Sequence, residues 1–145
     1  MCHKARALWP LGRTAEQSAL VEEAVAAARH AGDPLVLSQV LTMSSDRAWA
    51  MGQFDVAQAR ADEAFEYATQ AGEDWWIAMA WYVRAMAAPT IADLRERTDR
   101  AAALLSAAGN VHHLTDLLGA AAYGALCMGS DEDAKVFVER AHAAS

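Results

Sequence analysis

One skeleton of small residues recurs along this chain, and it restricts the fold more than any other feature. Gly52 is followed by Ala57 five residues on, Ala64 twelve on and Gly72 twenty on. The same spacing holds Gly12 with Ala24 and Gly32, Gly129 with Ala134 and Ala141, and, with Pro89 in the glycine's place, Leu94, Ala101 and Gly109. Gly32 and Gly72 are 40 residues apart, Gly72 and Gly109 are 37. Periods of this size mark stacks of helical hairpins.

End signals divide the chain into helices. Thr14 and Gln17 form a capping-box pattern ahead of a helix from about Ala15 to Ala31, which Gly32 ends in a left-handed conformation. Asp33-Pro34 is an N-cap followed by proline at the first helical position, so a second helix should run to about Met51. The third, Phe54 to Ala71, repeats Phe54, Ala57, Ala61, Ala64, Phe65 and Ala68 as one apolar face. Asp74 is expected to cap Trp75 to Ala88, a helix apolar nearly all round and therefore buried between neighbours. Thr90 caps Ile91 to Ala108, Asn110 caps Val111 to Met128, and a Ser130 to Asp133 capping box precedes the last helix, to about Ala143. Residues 1–12 read as the tail of a helix whose start is missing. The expected organisation is thus one solenoid over 1–145, with a partial hairpin at 1–32 and repeats at 33–72, 73–109 and 110–145. Alanine recurs where helix backbones cross closely, and Phe54, Phe65, Ile91 and Phe137 are expected to fill the gaps between crossings.

Composition narrows the function. Hydrophobic residues are 54% of the chain and charged residues 21%, which opposes disorder, and the β-branched residues are too scattered for strands. The net charge of −7 leaves no basic face for phosphate backbones, so no direct nucleic-acid partner is expected. Cys2 and Cys127 are isolated thiols, which fits the cytoplasm, and Cys127 reads as small core filler. The longest apolar run, Leu117 to Met128, is 12 residues, well short of a bilayer span, so no membrane partner is expected.

The inter-helix glycine, the alanines five and twelve residues after it and the turn between repeats make the chain resemble tetratricopeptide repeats over nearly all its length. Its period exceeds the family's common value of about 34 and is similar to the longer repeats that form C-terminal arrays in large bacterial transcription regulators and signalling ATPases. The aromatic and glycine usual inside the first helix are represented by Trp81-Tyr82 in one repeat and by Ser44-Ser45 or Ala121-Ala122 in the others. The resemblance implies an all-α fold, a right-handed α-α superhelix of antiparallel hairpins with about seven helices. In that family the first helix of each hairpin lines a concave surface that binds peptides. Carried across by register, the surface would hold Gln39, Thr42, Asp46 and Trp49, then Trp76, Met79, Val83 and Met86, then Asp116, Tyr123 and Cys127, with Arg47 and Arg84 outside it. A protein or peptide partner follows, in the interaction or regulatory part of a bacterial transcription regulator or signalling protein, with no cofactor. An open end at the half hairpin would be covered by a second copy or by more of a longer regulator.

Other readings compete at particular residues. The Trp75 to Val83 stretch is either core or the wall of a pocket built from Trp76, Met79 and Trp49. Adjacent positions point about 100° apart on a helix, so Trp75 and Trp76 are not expected on one face. A group of Trp49, Trp76, Met79 and Tyr123 could instead enclose an apolar small molecule in a sensor domain. His112 and Asp116 share a helical face, but no H-E-x-x-H pattern or cysteine set completes a metal site, and no nucleophile elbow, P-loop or dinucleotide fingerprint is present. No catalytic residue is therefore assigned. Glu22, Glu63 and the acidic run Asp131 to Asp133 read as solvated charge, and Arg95, Arg97 and Arg100 as partners of Glu96, Asp93 or Asp99.

Overall fold

The computed structural model describes residues 14–145, which form seven α-helices and no strand. They are α1 (Thr14–Ala31), α2 (Pro34–Ala50), α3 (Phe54–Ala71), α4 (Asp74–Met86), α5 (Ile91–Ala107), α6 (Val111–Cys127) and α7 (Asp131–Ala144). The half hairpin expected over residues 1–12, with the open end it implies, lies outside the described residues, as does the Thr14 side chain.

Three of the expected caps form. Asp33 Oδ1 accepts the amides of Leu35 and Val36 at 2.9 and 3.2 Å, Thr90 Oγ1 that of Asp93 at 3.1 Å, and Asn110 Oδ1 that of His113 at 3.1 Å. Two do not. The first turn of α4 closes on the Glu73 carbonyl, which accepts from Ile77 N at 3.0 Å, so Asp74 sits inside the helix and caps nothing. At α7 the Ser130 hydroxyl donates to the Asp133 carboxylate and makes no side-chain bond to the backbone. That carboxylate is also gripped by Arg95 through two hydrogen bonds. The recurring glycines turn the chain between helices with φ from 65° to 76°. A side chain at Gly72 would meet nothing within 4 Å, so the backbone angle, and not space, calls for glycine there.

Each first helix packs on its second, as α2 on α3, α4 on α5 and α6 on α7. The α3 alanines Ala57, Ala61, Ala64 and Ala68 have at most 1% of their surface exposed, and buried Ser45 of α2 donates to the Ala57 carbonyl at 2.8 Å. The corresponding Leu94, Ala101 and Ala134 are buried too, and Phe65, Ile91 and Phe137 pack beside such positions. Phe54 departs from expectation at 61% exposure, because it opens α3 one residue past the turn, beyond the end of α2.

The first helices also touch one another, α2 on α4 and α4 on α6, whereas the second helices stand further apart and are joined by long side chains. Arg29 meets Glu63 and Arg60 meets Glu22 between α1 and α3, while Arg95 meets Asp133 and Arg140 meets Asp99 between α5 and α7. Glu22, Glu63 and Asp133, expected to be solvated, are thus inter-helix partners. Arg97 and Arg100 do pair within α5, with Asp93 and Glu96. A stack held close on its first-helix side and spaced on the other curves toward the first helices, which is compatible with a right-handed superhelix. Among the described residues no helix is long and apolar enough to cross a membrane.

Candidate functional site

Residues at equivalent turns of α2, α4 and α6 line up across the first-helix face, Thr42 with Met79 and Asp116, and Trp49 with Met86 and Tyr123, each thirty-seven residues from the next. Two cavities open on this face. The larger, about 640 Å³, takes Thr42, Asp46, Trp76, Met79, Val83 and Asp116 from the expected set. The smaller, about 540 Å³, takes Trp49, Met86, Tyr123 and Cys127. Gln39 is half-buried and lines neither. The group of Trp49, Trp76, Met79 and Tyr123, expected to enclose one ligand, is therefore divided between two sites.

The larger cavity has a wall that the helix register alone does not supply. Gln17 and Val21 of α1 close one side of it, so the α2 residues turned toward α1, Met43 and Arg47, line it as well. Arg47, expected outside the groove, is buried there with 6% of its surface exposed. Both Trp75 and Trp76 line this cavity, against expectation. Trp76 leans on the core around Val25, Leu41 and Ala64, Trp75 on that around Ala78, Leu105 and Leu117, so the two indoles straddle the opening, with centroids 6.5 Å apart and planes at 71°. A wide mouth accommodates side chains that diverge by 100° on their helix.

Polar groups in the larger cavity are held in defined states. Burial, followed by the charges of Asp46 and Asp116, pushes the Tyr82 phenol up to about 12. His113 places its ring edge-on to Trp75, centroids 5.0 Å apart, with Nδ1 3.0 Å from Asn110 Oδ1. His112 Nε2 lies 3.5 Å from Asp116 Oδ2. His113 stands thirty-seven residues after Trp76, and that register is the signal that could have added it to the expected set.

The smaller cavity is more apolar. Phe54, Pro89 and Met128 join its lining, with Asp55 and Gln58 as its polar members. Trp49 and Tyr123 meet edge to face, 6.4 Å between centroids, linking α2 to α6. Cys127 is exposed and is not core filler; its hydrogen bond with Tyr123 raises the pKa of that phenol. Compared with protein-family models, curated proteins and solved structures, the chain has no significant match.

Proposed function

We propose that this chain is a binding module that holds an extended protein segment along its first-helix face, as the interaction or regulatory part of a bacterial transcription regulator or signalling protein in the cytoplasm. The observation that carries the binding role is the pair of cavities on one face of α2, α4 and α6, in the size range of about 300–1,000 Å³ that suits side-chain and small-ligand recognition. Tryptophan and methionine walls suit adaptable contacts with a partner's side chains. The regulatory setting is supported by the repeat length alone, and the cytoplasm by isolated thiols.

Selection from a random heptapeptide library tests the reading. Binders with micromolar affinity should lose at least about tenfold on Trp76→Ala or Tyr123→Ala, since buried aromatic anchors are worth 2 kcal/mol or more at interfaces. Binders indifferent to both substitutions would exclude the face as the site. A second reading, a sensor of apolar small molecules, is favoured by the smaller cavity with Trp49, Phe54, Met86 and Met128. An apolar dye that quenches Trp49 and competes with no selected peptide would support it. Pairing of two copies through an uncapped end of the stack is supported by the repeat organisation alone. A monomer mass in light scattering at every concentration would exclude it.

A further inference from the structure

The larger cavity has a lining matched to a particular kind of guest. Gln17 is 6% exposed, and its Oε1 is a buried acceptor with no hydrogen-bond partner. Leaving such an atom unsatisfied is costly unless a guest supplies a donor. Thr42 has spent its only hydrogen on the Ser38 carbonyl at 2.8 Å, so its oxygen can offer a guest nothing but lone pairs. Asn110 Oδ1 accepts from both the amide and Nδ1 of His113, which assigns the ring hydrogen to Nδ1 and leaves Nε2 an acceptor in the neutral imidazole. The two carboxylates of Asp46 and Asp116 outnumber the one guanidinium of Arg47. The Tyr82 hydroxyl and the Arg47 guanidinium are donors in the same lining, and against them stand the Gln17, Thr42 and His113 acceptors and two carboxylates, between two indole walls.

We propose that this cavity receives the guanidinium of an arginine side chain carried by the bound segment, an inference that rests on the peptide-binding reading above. A guanidinium brings five donors on a planar cation, which satisfies several acceptors at once and stacks on indole faces. The molecule already makes this combination with its own residues on another side of α4. There Arg84 lies 4.6 Å from the Phe65 centroid and 4.5 Å from the Trp81 centroid, while its Nε donates to Asp62 at 2.8 Å. The cavity repeats that set of groups, two aromatic walls and a carboxylate, and adds the Gln17 acceptor.

The test follows the indole N–H signals of the whole ¹⁵N-labelled chain during titration with Nα-acetyl-arginine amide, with its citrulline counterpart and with its lysine counterpart. The arginine probe should shift the Trp75 and Trp76 signals and leave Trp49 unmoved. Citrulline, of the same shape without the charge, should bind at least about tenfold more weakly, as should arginine to Asp116→Asn and to the volume-conserving Gln17→Met. Absence of shifts, equal binding of citrulline or lysine, or indifference to both substitutions would overturn the assignment. The two readings fail separately. If selected peptides bind and tolerate citrulline for arginine, the groove stands and the guanidinium falls. If the arginine probe binds as described but no peptide exceeds it, the cavity stands and the extended groove falls.

Discussion

Ala64 has none of its surface exposed where α3 crosses its neighbours, so there is no room for a larger side chain. Ala64→Leu is expected to destabilise the chain by about 1–3 kcal/mol through overpacking. Ala59→Leu, on the exposed side of the same helix, should leave the melting temperature within error. Thermal unfolding of the two variants separates a crossing from a mere alanine preference. Such positions were legible because a crossing repeats with the hairpin, and the spacing of small residues repeats with it. Gln17 and Arg47 were not, because their burial depends on α1 lying beside α2, a contact that no spacing within α2 announces. Trp75 and Trp76 misled for a related reason: the angle between neighbours on a helix describes Cβ directions, and an indole reaches far enough to bring both to one opening.

Helix limits were legible to within a residue or two, with the expected side-chain caps present at Asp33, Thr90 and Asn110. The limit held at Ser130 too, although the side-chain bond expected there does not form and the Asp133 carboxylate is held instead by Arg95, thirty-eight residues before it. Arg95 and the Ser130 hydroxyl hold the Asp133 carboxyl below its usual range. A carboxyl whose pKa is lowered on folding contributes stability above its unfolded value, about 3.9, and loses that contribution as pH falls through the folded value. Asp133→Asn should therefore lower the melting temperature at pH 7, and the gap from the unsubstituted chain should close on acidification below about pH 4. A gap independent of pH would mean that the carboxylate contributes no charge-dependent link between α5 and α7.

In the stack as a whole, contacts run between neighbours. α4 packs closely on α2, α3, α5 and α6, whereas α7 packs closely on α6 and reaches α5 chiefly through the Arg95–Asp133 and Arg140–Asp99 ion pairs. Stability in such arrays is a sum of unit and junction contributions, so elements at the ends open first. Native-state hydrogen exchange should find α7 amides exchanging at least about tenfold faster than those of α4; equal protection would mean that the described residues open as one unit. The all-α architecture was readable from period and caps, and ten of the eleven expected groove positions open on one cavity or the other. The division into two cavities was not, since it depends on how α1 and the start of α3 close over the first helices.

The crossings at Ala57, Ala61, Ala64 and Ala68 line neither cavity on the first-helix face. Frame and readout therefore occupy different columns of the repeat, and each can be rewritten without the other. A library that freezes the alanine column and randomises Thr42, Met79, Met86 and Tyr123 would keep the same chassis while sampling new guests, and lineages of such a chain are free to exchange partners faster than they change shape.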